Sequence, residues 1–288
     1  MELECYKTLW GHTGTFVQAC ERARAAGFEG IEGPAPTSRQ EQSTWRRQLQ
    51  DTGLLYIAEI CTAGSYIPER AASVKQHLSS LEQKLQQAMS LAPRLVTCIG
   101  GCDAWIEEQS LEFFSGAILL AKSYSATISF ETHRGRSFFN PWVTARVCEQ
   151  LPELRLTADF SHWCVVCERL MDTEQDTLDR LIGRVMHIHA RVGYEQGPQV
   201  VDPRLARYQP ALESHQRWWR RIWDCQLRQG YKRSTLTPEF GPDGYQQLDA
   251  FTSSPVGDLW EMNCWMAQQQ RQQFGQWWRT ETMYGEKA

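Results

Sequence analysis

The chain has 288 residues, of which 42% are hydrophobic and 22% are charged, a composition typical of a soluble globular protein with a large core. Its formal net charge of -4 argues against nucleic acid or an anionic membrane as a partner, because both require a basic face. The ten cysteines are scattered through a chain much too long for a disulfide-stapled mini-domain. The first residues carry no secretory pattern, and no apolar run reaches the roughly 18 residues that cross a bilayer. We therefore expect a cytoplasmic protein with reduced thiols.

Strand and helix patterns alternate eight times along the chain. The predicted strands cover residues 3–10, 28–32, 54–59, 94–99, 127–132, 154–160, 184–191 and 235–239. The main predicted helices cover residues 15–26, 38–51, 68–90, 106–123 and 167–182, with others near 141, around 217–223 and from 256 to a frayed end near 278. This alternation is typical of βαβ units in a parallel sheet.

Eight units in a chain of this length favour a closed barrel over an open doubly wound sheet. No Gly-x-Gly-x-x-Gly follows a predicted strand, so a dinucleotide-binding fold is disfavoured. No linker or change in composition divides the chain. The sequence therefore predicts one α/β domain over residues 1–288, a single (β/α)8 TIM barrel.

Polar side chains gather where the predicted strands end. Five of the seven histidines lie there, and only His77 and His215 fall on predicted helices. In a barrel of this kind, the carboxyl ends of the strands form the active-site face. The polar residues at these ends are His12, Glu32, Glu59, Glu131, His133, Asp159, His162, His187, His189, Arg191 and Glu239.

Four of these residues, Glu131, Asp159, His189 and Glu239, have side chains that suit a divalent metal ion. Such groups converging in one barrel mouth would repel each other unless a cation held them. The oxygen-rich set favours Mn²⁺, Mg²⁺ or Co²⁺ over a structural zinc site. Taken singly, His12, Glu32 and Glu59 are better explained as hydrogen-bonded structural residues.

Four segments resemble the signatures of strands 5 to 8 in the xylose isomerase-like TIM barrels. They are Phe130-Glu-Thr-His133, Asp159-Phe-Ser-His162, His187-Ile-His189 and Pro238-Glu-Phe240. That superfamily includes sugar and sugar-phosphate isomerases, ketose 3-epimerases, inosose dehydratases and endonuclease IV. The resemblance spans the barrel in layout, but its specific motifs lie in the second half of the chain.

The resemblance implies one divalent ion, Mn²⁺ first and Mg²⁺, Co²⁺ or Zn²⁺ as alternatives, bound by Glu131, Asp159, His189 and Glu239. Glu131 and Glu239 would move a proton on a sugar or sugar derivative through a metal-stabilised enediolate. Isomerisation, epimerisation and dehydration all remain open. The residues expected to contact or support the substrate are His162, Arg191, His133, His187, Trp163 and His12.

The chain departs from the family pattern at two points. The epimerases have a glutamate six residues after the strand-5 ligand, where this chain has Ser137. Xylose isomerase itself uses a catalytic lysine, and no lysine of this chain is expected at a strand end. That absence also counts against a Schiff-base aldolase, which needs a buried amine as nucleophile.

The sequence leaves two other classes of protein open. An endonuclease IV-like phosphodiesterase acting on abasic DNA would need about three metal ions and more histidines on the early strands. The segment Arg217-Trp-Trp-Arg-Arg221 resembles a basic-aromatic nucleic-acid patch, but an amphipathic barrel helix explains it better. A binding barrel without turnover ranks last, because all four ligands are present.

Three further expectations concern the surroundings of the site. Cys164 and Cys167 have redox or zinc spacing, but no second pair accompanies them, so they are predicted to be ordinary thiols. The long connection over residues 192–210 is expected to cover the site and set specificity. The many tryptophans leave a homodimer open, with packing as the simpler explanation.

Overall fold

Eight parallel strands, each paired with the next along the chain, close into a barrel where the first strand pairs with the last. The computed structural model describes residues 1–242 and 244–285. The strands are β1 (Glu2–Thr8), β2 (Gly30–Gly33), β3 (Leu55–Cys61), β4 (Leu95–Ile99), β5 (Ile128–Glu131), β6 (Leu156–Ala158), β7 (Val185–His189) and β8 (Arg233–Thr237). The predicted (β/α)8 barrel is confirmed.

Helices connect the strands and surround the barrel. They are α1 (Phe16–Ala25), α2 (Arg39–Thr52), α3 (Val74–Met89), α4 (Glu107–Ser123), α5 (Pro141–Gln150), α6 (Ser161–Val166), α7 (Gln175–Ile182), α8 (Gln209–Arg228) and α9 (Leu259–Gly285). Short 3-10 turns at Met171–Thr173 and Ala206–Tyr208 precede α7 and α8.

Local sequence explains where several helices begin and end. Thr15 and Ser73 form capping boxes with the glutamine three residues later, which satisfies backbone donors at the starts of α1 and α3. Asn140 caps α5, whose first residue is Pro141. Gly53 ends α2 in the left-handed conformation, with φ of 67°, which a residue without Cβ adopts at little cost.

Three predicted helices have the wrong boundaries. The helix expected from residue 68 begins at Val74, because the backbone at Gly64 and Pro68 pairs in a short bridge. Of the helix expected over residues 167–182, only Gln175–Ile182 is helical as α7, after the 3-10 turn at Met171–Thr173. The chain turns at Glu168, which has φ of 50°, and the separate helix α6 ends before it at Val166. The last helix begins at Leu259 instead of 256 and continues to Gly285 instead of ending near 278.

Most of the described buried apolar side chains form one hydrophobic cluster, and Tyr6, Ile57 and Leu95 form a second, smaller one. Strand β4 is buried at every position, as expected for a parallel sheet covered on both faces. All ten cysteines are free thiols. In the parts of the chain that are described, no helix is both long and apolar enough to cross a bilayer. The assignment of residues 1–288 to one domain stays a prediction, and its residues 243 and 286–288 lie outside the described residues.

Candidate metal centre

Four side chains from the second half of the barrel meet at its carboxyl-terminal mouth. Glu131 ends β5, Asp159 follows β6, His189 ends β7, and Glu239 lies two residues beyond β8. One ligand atom from each lies within 4.8 Å of those of the other three, and all four residues are buried. The side chains chosen from the sequence as metal ligands therefore lie close enough to share one ion. Their role as ligands stays a prediction.

The unsatisfied atoms of this cluster fit a cation. Oε2 of Glu131, Nδ1 of His189 and Oε2 of Glu239 are buried and have no hydrogen-bond partner. Nδ1 of His189 lies 3.5 Å from the Glu131 oxygen and 3.1 Å from the Glu239 oxygen. Burying such groups without hydrogen bonds is costly, and an ion between them would remove that cost. Carboxylate and imidazole donors together suit Mn²⁺, Mg²⁺, Co²⁺ or Zn²⁺.

Burial and crowding perturb the charges of the cluster. Burial raises the pKa of Glu131 to about 7, with Glu239 and Asp159 adding to the rise and His189 opposing it. Burial also raises the pKa of Asp159, against the pull of Arg191. Burial alone would lower the pKa of His189, but the carboxylates of Glu239, Glu32 and Glu131 raise it well above its usual range. Without an ion, the cluster therefore holds protons at neutral pH.

Glu32, at the third position of β2, lies behind the cluster and contacts both imidazoles of β7. Its two oxygens lie 3.1 Å from Nε2 of His187 and 3.0 Å from Nε2 of His189. Although burial opposes this, the two imidazoles lower the pKa of Glu32 well below its usual range. An ionised Glu32 fixes the ring of His189 with Nδ1 towards the cluster, an arrangement common around metal-bound histidines.

Arg191, two residues past β7, brings a permanent positive charge to the cluster. Its guanidinium donates a short hydrogen bond to Asp159 and another to Oγ of Ser161 at 3.2 Å. It also lies 2.8 Å from Nε2 of His162 and 3.5 Å from Oε2 of Glu239. Buried Arg191 therefore neutralises part of the carboxylate charge at the place where an ion would bind.

A cavity of about 370 Å³ opens beside the cluster. Its wall includes Glu131, His133, Arg191 and Glu239 from the predicted site. The loops after β2, β3 and β8, together with α3, supply most of the remaining wall, including Tyr66, Lys84, Tyr245, Pro34, Ala35 and Thr37. None of its lining residues lies in 192–210, so the expectation that this long connection covers the site is wrong.

Two tyrosines that the sequence did not single out complete the cavity together with Glu59. The ring of Tyr245 lies against Arg191 and Arg134, each with its guanidinium carbon 4.7 Å from the ring centre. Tyr66 packs edge-on against Tyr245 from the loop after β3. Burial, followed by repulsion from Glu239, raises the pKa of Glu59 in the cavity wall to about 8, so this carboxyl is protonated at pH 7.

The other residues predicted to contact substrate do not all lie at the central cavity. His133 lines the cavity, and its ring centre lies 3.9 Å from that of His162, which is buried behind it. His187 is buried one layer deeper in β7 and contacts Glu32. Trp163 is fully buried, and its indole donates to the carbonyl of Phe138. His12 lines a different, smaller cavity.

The position that carries a glutamate in the epimerases packs away from the cavity. Ser137 is buried, and its hydroxyl oxygen lies 3.1 Å from that of Ser110 on α4. The neighbouring Arg136 is fully buried and donates to backbone carbonyls, including that of Thr62 at 2.7 Å. This segment therefore joins the loops after β3 and β5 and does not contribute to the cavity wall.

The expectation that no lysine stands at a strand end is wrong for Lys7. Strand β1 ends at Thr8 instead of residue 10, so Lys7 is its penultimate residue. Its side chain lines the small cavity that His12 also lines, and Lys7 is not among the lining residues of the central cavity. Lys84, on α3, does line the central cavity and donates to the carbonyl of Cys61 at 2.6 Å.

Comparisons with known proteins agree with this fold. The model of the xylose isomerase-like TIM barrel family matches residues 20–206, about two thirds of the chain. None of the curated protein sequences matches the chain. An L-ribulose 3-epimerase structure aligns over 99% of this chain and 98% of its own, with a TM-score of 0.66 and 14% identity.

Two other solved structures show the range of proteins on this fold. A xylose isomerase-like TIM barrel protein from Mycobacterium smegmatis, in complex with magnesium, aligns over 94% of this chain and 97% of its own, with a TM-score of 0.60 and 12% identity. Endonuclease IV from Thermus thermophilus aligns over 96% of this chain and 100% of its own, with a TM-score of 0.58 and 15% identity. At these identities the likeness shows the fold alone.

Proposed function

We propose that this chain, which belongs to the xylose isomerase-like TIM barrel family, is a divalent-metal-dependent isomerase or epimerase of a sugar or sugar derivative. The observation that carries the proposal is the convergence of Glu131, Asp159, His189 and Glu239 within 4.8 Å, with three of their buried atoms unpartnered. A cavity large enough for a small molecule adjoins them.

We assign the ion to those four side chains. A bound divalent ion supplies Lewis-acid polarisation of a carbonyl oxygen and stabilises the negative charge that develops when a neighbouring C–H proton leaves. Glu131 and Glu239 both line the cavity, so both carboxylates are in place to take a proton from carbon and return it. Return to the same carbon from the other face gives an epimer, and return to the neighbouring carbon gives an isomer.

The remaining cavity residues suit a polyhydroxylated molecule. Arg191 and His133 present nitrogen atoms at the wall, where hydroxyl groups of a sugar need partners. Trp10, Tyr66 and Tyr245 offer aromatic faces, against which the C–H face of a sugar ring packs. His162 contacts Arg191 from behind and orients it, and His187 does the same for Glu32.

The proposal is tested by elemental analysis followed by proton exchange. The purified protein is expected to hold about one divalent ion per chain and to exchange deuterium from solvent into one member of a panel of ketoses and keto-sugars. Glu131→Gln and Glu239→Gln should each lower this exchange by about a hundredfold or more, since general acid–base groups contribute on that scale. Glu153→Gln, on the exposed surface, is the matched control. Exchange that persists in both site variants would contradict the assignment.

The second candidate is an endonuclease IV-like phosphodiesterase acting on abasic DNA. Two further groups beside the cluster, Glu131-His133-His162 and Glu32-His187-His189, are compact enough to hold additional ions. The basic-aromatic segment of α8 does not favour this candidate, because its tryptophans, Trp218 and Trp219, are fully buried and offer no face to a base. Two of its three arginines also pair with carboxylates, Arg217 with Asp172 and Arg221 with Asp179. About three ions per chain with cleavage of an abasic duplex would favour the nuclease, and one ion with sugar proton exchange would favour the isomerase or epimerase.

A further inference from the structure

A second, small cavity lies outside the barrel, between the end of β1, the loop after β8 and the start of α9. Its volume is about 40 Å³, roughly three times the space that one water molecule needs. Lys7, His12 and Arg22 line it, together with mainly apolar residues that include Phe28, Phe240 and Trp260. No aspartate or glutamate is among its described lining residues.

The Lys7 amine is the central feature of this small cavity. The residue is only 5% exposed, and its ammonium group donates to the carbonyl of Thr8 at 2.9 Å. Within the described chain, neither Lys7 nor Arg22 forms an ion pair with a carboxylate. Burial, and then repulsion from Arg22, lowers the pKa of Lys7 to about 8. At neutral pH this amine therefore remains mostly charged and buried, with no counter-ion among the described residues, which is a costly arrangement.

Two groups beside Lys7, on Arg22 and His12, also suit an anionic ligand. The guanidinium of Arg22 lies over the ring of Trp260, with its carbon 4.3 Å from the ring centre, and this contact holds it beside the cavity. Nδ1 of His12 is buried and has no hydrogen-bond partner. The carboxylate of Asp258, before α9, accepts from the backbone of Trp260 and Glu261 and is absent from the lining.

We propose that this cavity binds a small oxyanion of the phosphate type, held by Lys7 and Arg22 with His12 at its edge. An oxyanion supplies a counter-charge that the described residues do not provide, and its several oxygens match the several N–H donors. The volume accommodates an inorganic ion and excludes a sugar. Trp10 lies in the walls of both cavities and separates this site from the central one, so the inference does not depend on the proposed sugar chemistry.

The test is equilibrium dialysis of the full-length protein against radiolabelled inorganic phosphate. Wild-type protein is expected to bind one phosphate per chain, and Lys7→Met should weaken binding by about tenfold or more, the scale of a charged hydrogen bond. Arg22→Gln should also weaken it. Lys122→Met is the control, because Lys122 is exposed and pairs with Glu153 far from the cavity. A parallel dialysis with added glycerol phosphate identifies the source of the ligand. If glycerol phosphate displaces the labelled phosphate, the site takes the phosphate group of a metabolite, and if it does not, the site takes the free ion.

Two outcomes would overturn the proposal. One is folded wild-type protein that binds no phosphate at millimolar concentration. The other is binding that is equally tight in the Lys7 and Arg22 variants, which would locate the phosphate elsewhere, for example beside Arg191. Because Lys7 is buried, its variant is first checked for cooperative thermal unfolding. If that variant does not fold, exposed Arg22 decides the question alone, since its substitution leaves the core intact.

Discussion

The carboxylate of Glu32 holds the imidazole of His189 from the side opposite the predicted metal position. Its Oε1 lies 3.0 Å from Nε2 of His189, and Nδ1 on the other edge of the ring faces Glu131 and Glu239. The two residues are 157 positions apart and come from strands on different parts of the barrel. A ring held in this way presents its Nδ1 lone pair to an ion once the proton on that nitrogen has left.

Glu32→Gln should therefore weaken metal binding without removing a ligand. A glutamine retains the shape but not the charge, so it polarises the imidazole less and fixes the tautomer less firmly. Substitutions of such supporting carboxylates typically cost tenfold to a hundredfold in metal affinity, and we expect about that loss for Mn²⁺. Competition with a metal-sensitive fluorescent chelator measures it directly.

Glu59→Gln is the matched control for this experiment. Glu59 lies in the same mouth, on the neighbouring strand β3, but has no imidazole contact among the described residues. Its pKa of about 8 means that it is already uncharged at pH 7, so glutamine closely imitates it. The metal affinity of the Glu59→Gln variant should stay within about twofold of wild type. Equal losses of metal affinity in the two variants would show a general change in the electrostatic field at the barrel mouth instead of a specific effect on His189.

Metal binding should release protons and strengthen as the pH rises. In the ion-free protein, the raised pKa of His189 keeps its ring charged at pH 7, and Glu131, with a pKa of about 7, is about half protonated. An ion needs both groups deprotonated, so it competes with protons below these pKa values. We expect release of at least about one proton per ion. Isothermal titration calorimetry in two buffers of different ionisation enthalpy counts them, and an affinity that does not change with pH would contradict the ligand assignment.

The barrel was predictable because strand and helix patterns alternate eight times along the chain. The four convergent side chains were predictable because carboxyl ends of parallel strands meet at one face, so Glu131 and His189 could be placed together from strand position alone. The contact from Glu32 was not predictable, since it depends on how the pleats of β2 and β7 face each other across the barrel.

Loops account for most of what the sequence did not reveal. Tyr66 and Tyr245 reach the cavity because two loops fold towards each other. Neither loop carries a sequence motif that predicts the direction in which it folds. The helix expected from Pro68 failed because a proline suits a turn as well as a first helical position. Lys7 was overlooked because the end of β1 was placed two residues too late.

Arg191→Met should destabilise the ion-free protein and increase its response to metal. Asp159 would lose its buried cationic partner, and breaking such a pair costs about 3–5 kcal/mol. An added divalent ion would then meet Asp159 and Glu239 without a competing guanidinium. We expect a lower melting temperature without metal and a larger rise on adding Mn²⁺ than in wild type. Differential scanning calorimetry with and without the ion measures both quantities.

The matched variant is Arg191→Lys, which keeps the charge but loses the fork of donors that joins Asp159, Ser161 and His162. It should lie between wild type and the methionine variant in its response to Mn²⁺. A methionine variant with the same metal-induced shift as wild type would show that the guanidinium and the ion do not share carboxylates.

The buried histidine of α8 should make the protein sensitive to mild acid. Nδ1 of His215 lies 2.9 Å from the carbonyl of Ala211, and its Nε2 accepts from the backbone N–H of Gly193 at 3.4 Å. Both contacts require the neutral ring with its proton on Nδ1, and burial lowers the pKa to about 4. Because an unfolded histidine titrates near 6.5, the unfolded chain binds more protons below that pH.

The stability that neutral His215 contributes is therefore complete above pH 6.5 and is lost as the pH falls towards 4. The loss should reach about 2 kcal/mol by pH 5, relative to pH 7.5. His215→Gln removes this titration while His77, whose pKa burial also lowers to about 4, stays in both proteins and cancels. Urea unfolding at pH 7.5 and pH 5 should show a smaller acid loss for the variant than for wild type. Equal losses would mean that the imidazole can take up a proton inside the fold, with the N–H of Gly193 moving away from Nε2 to make room for it.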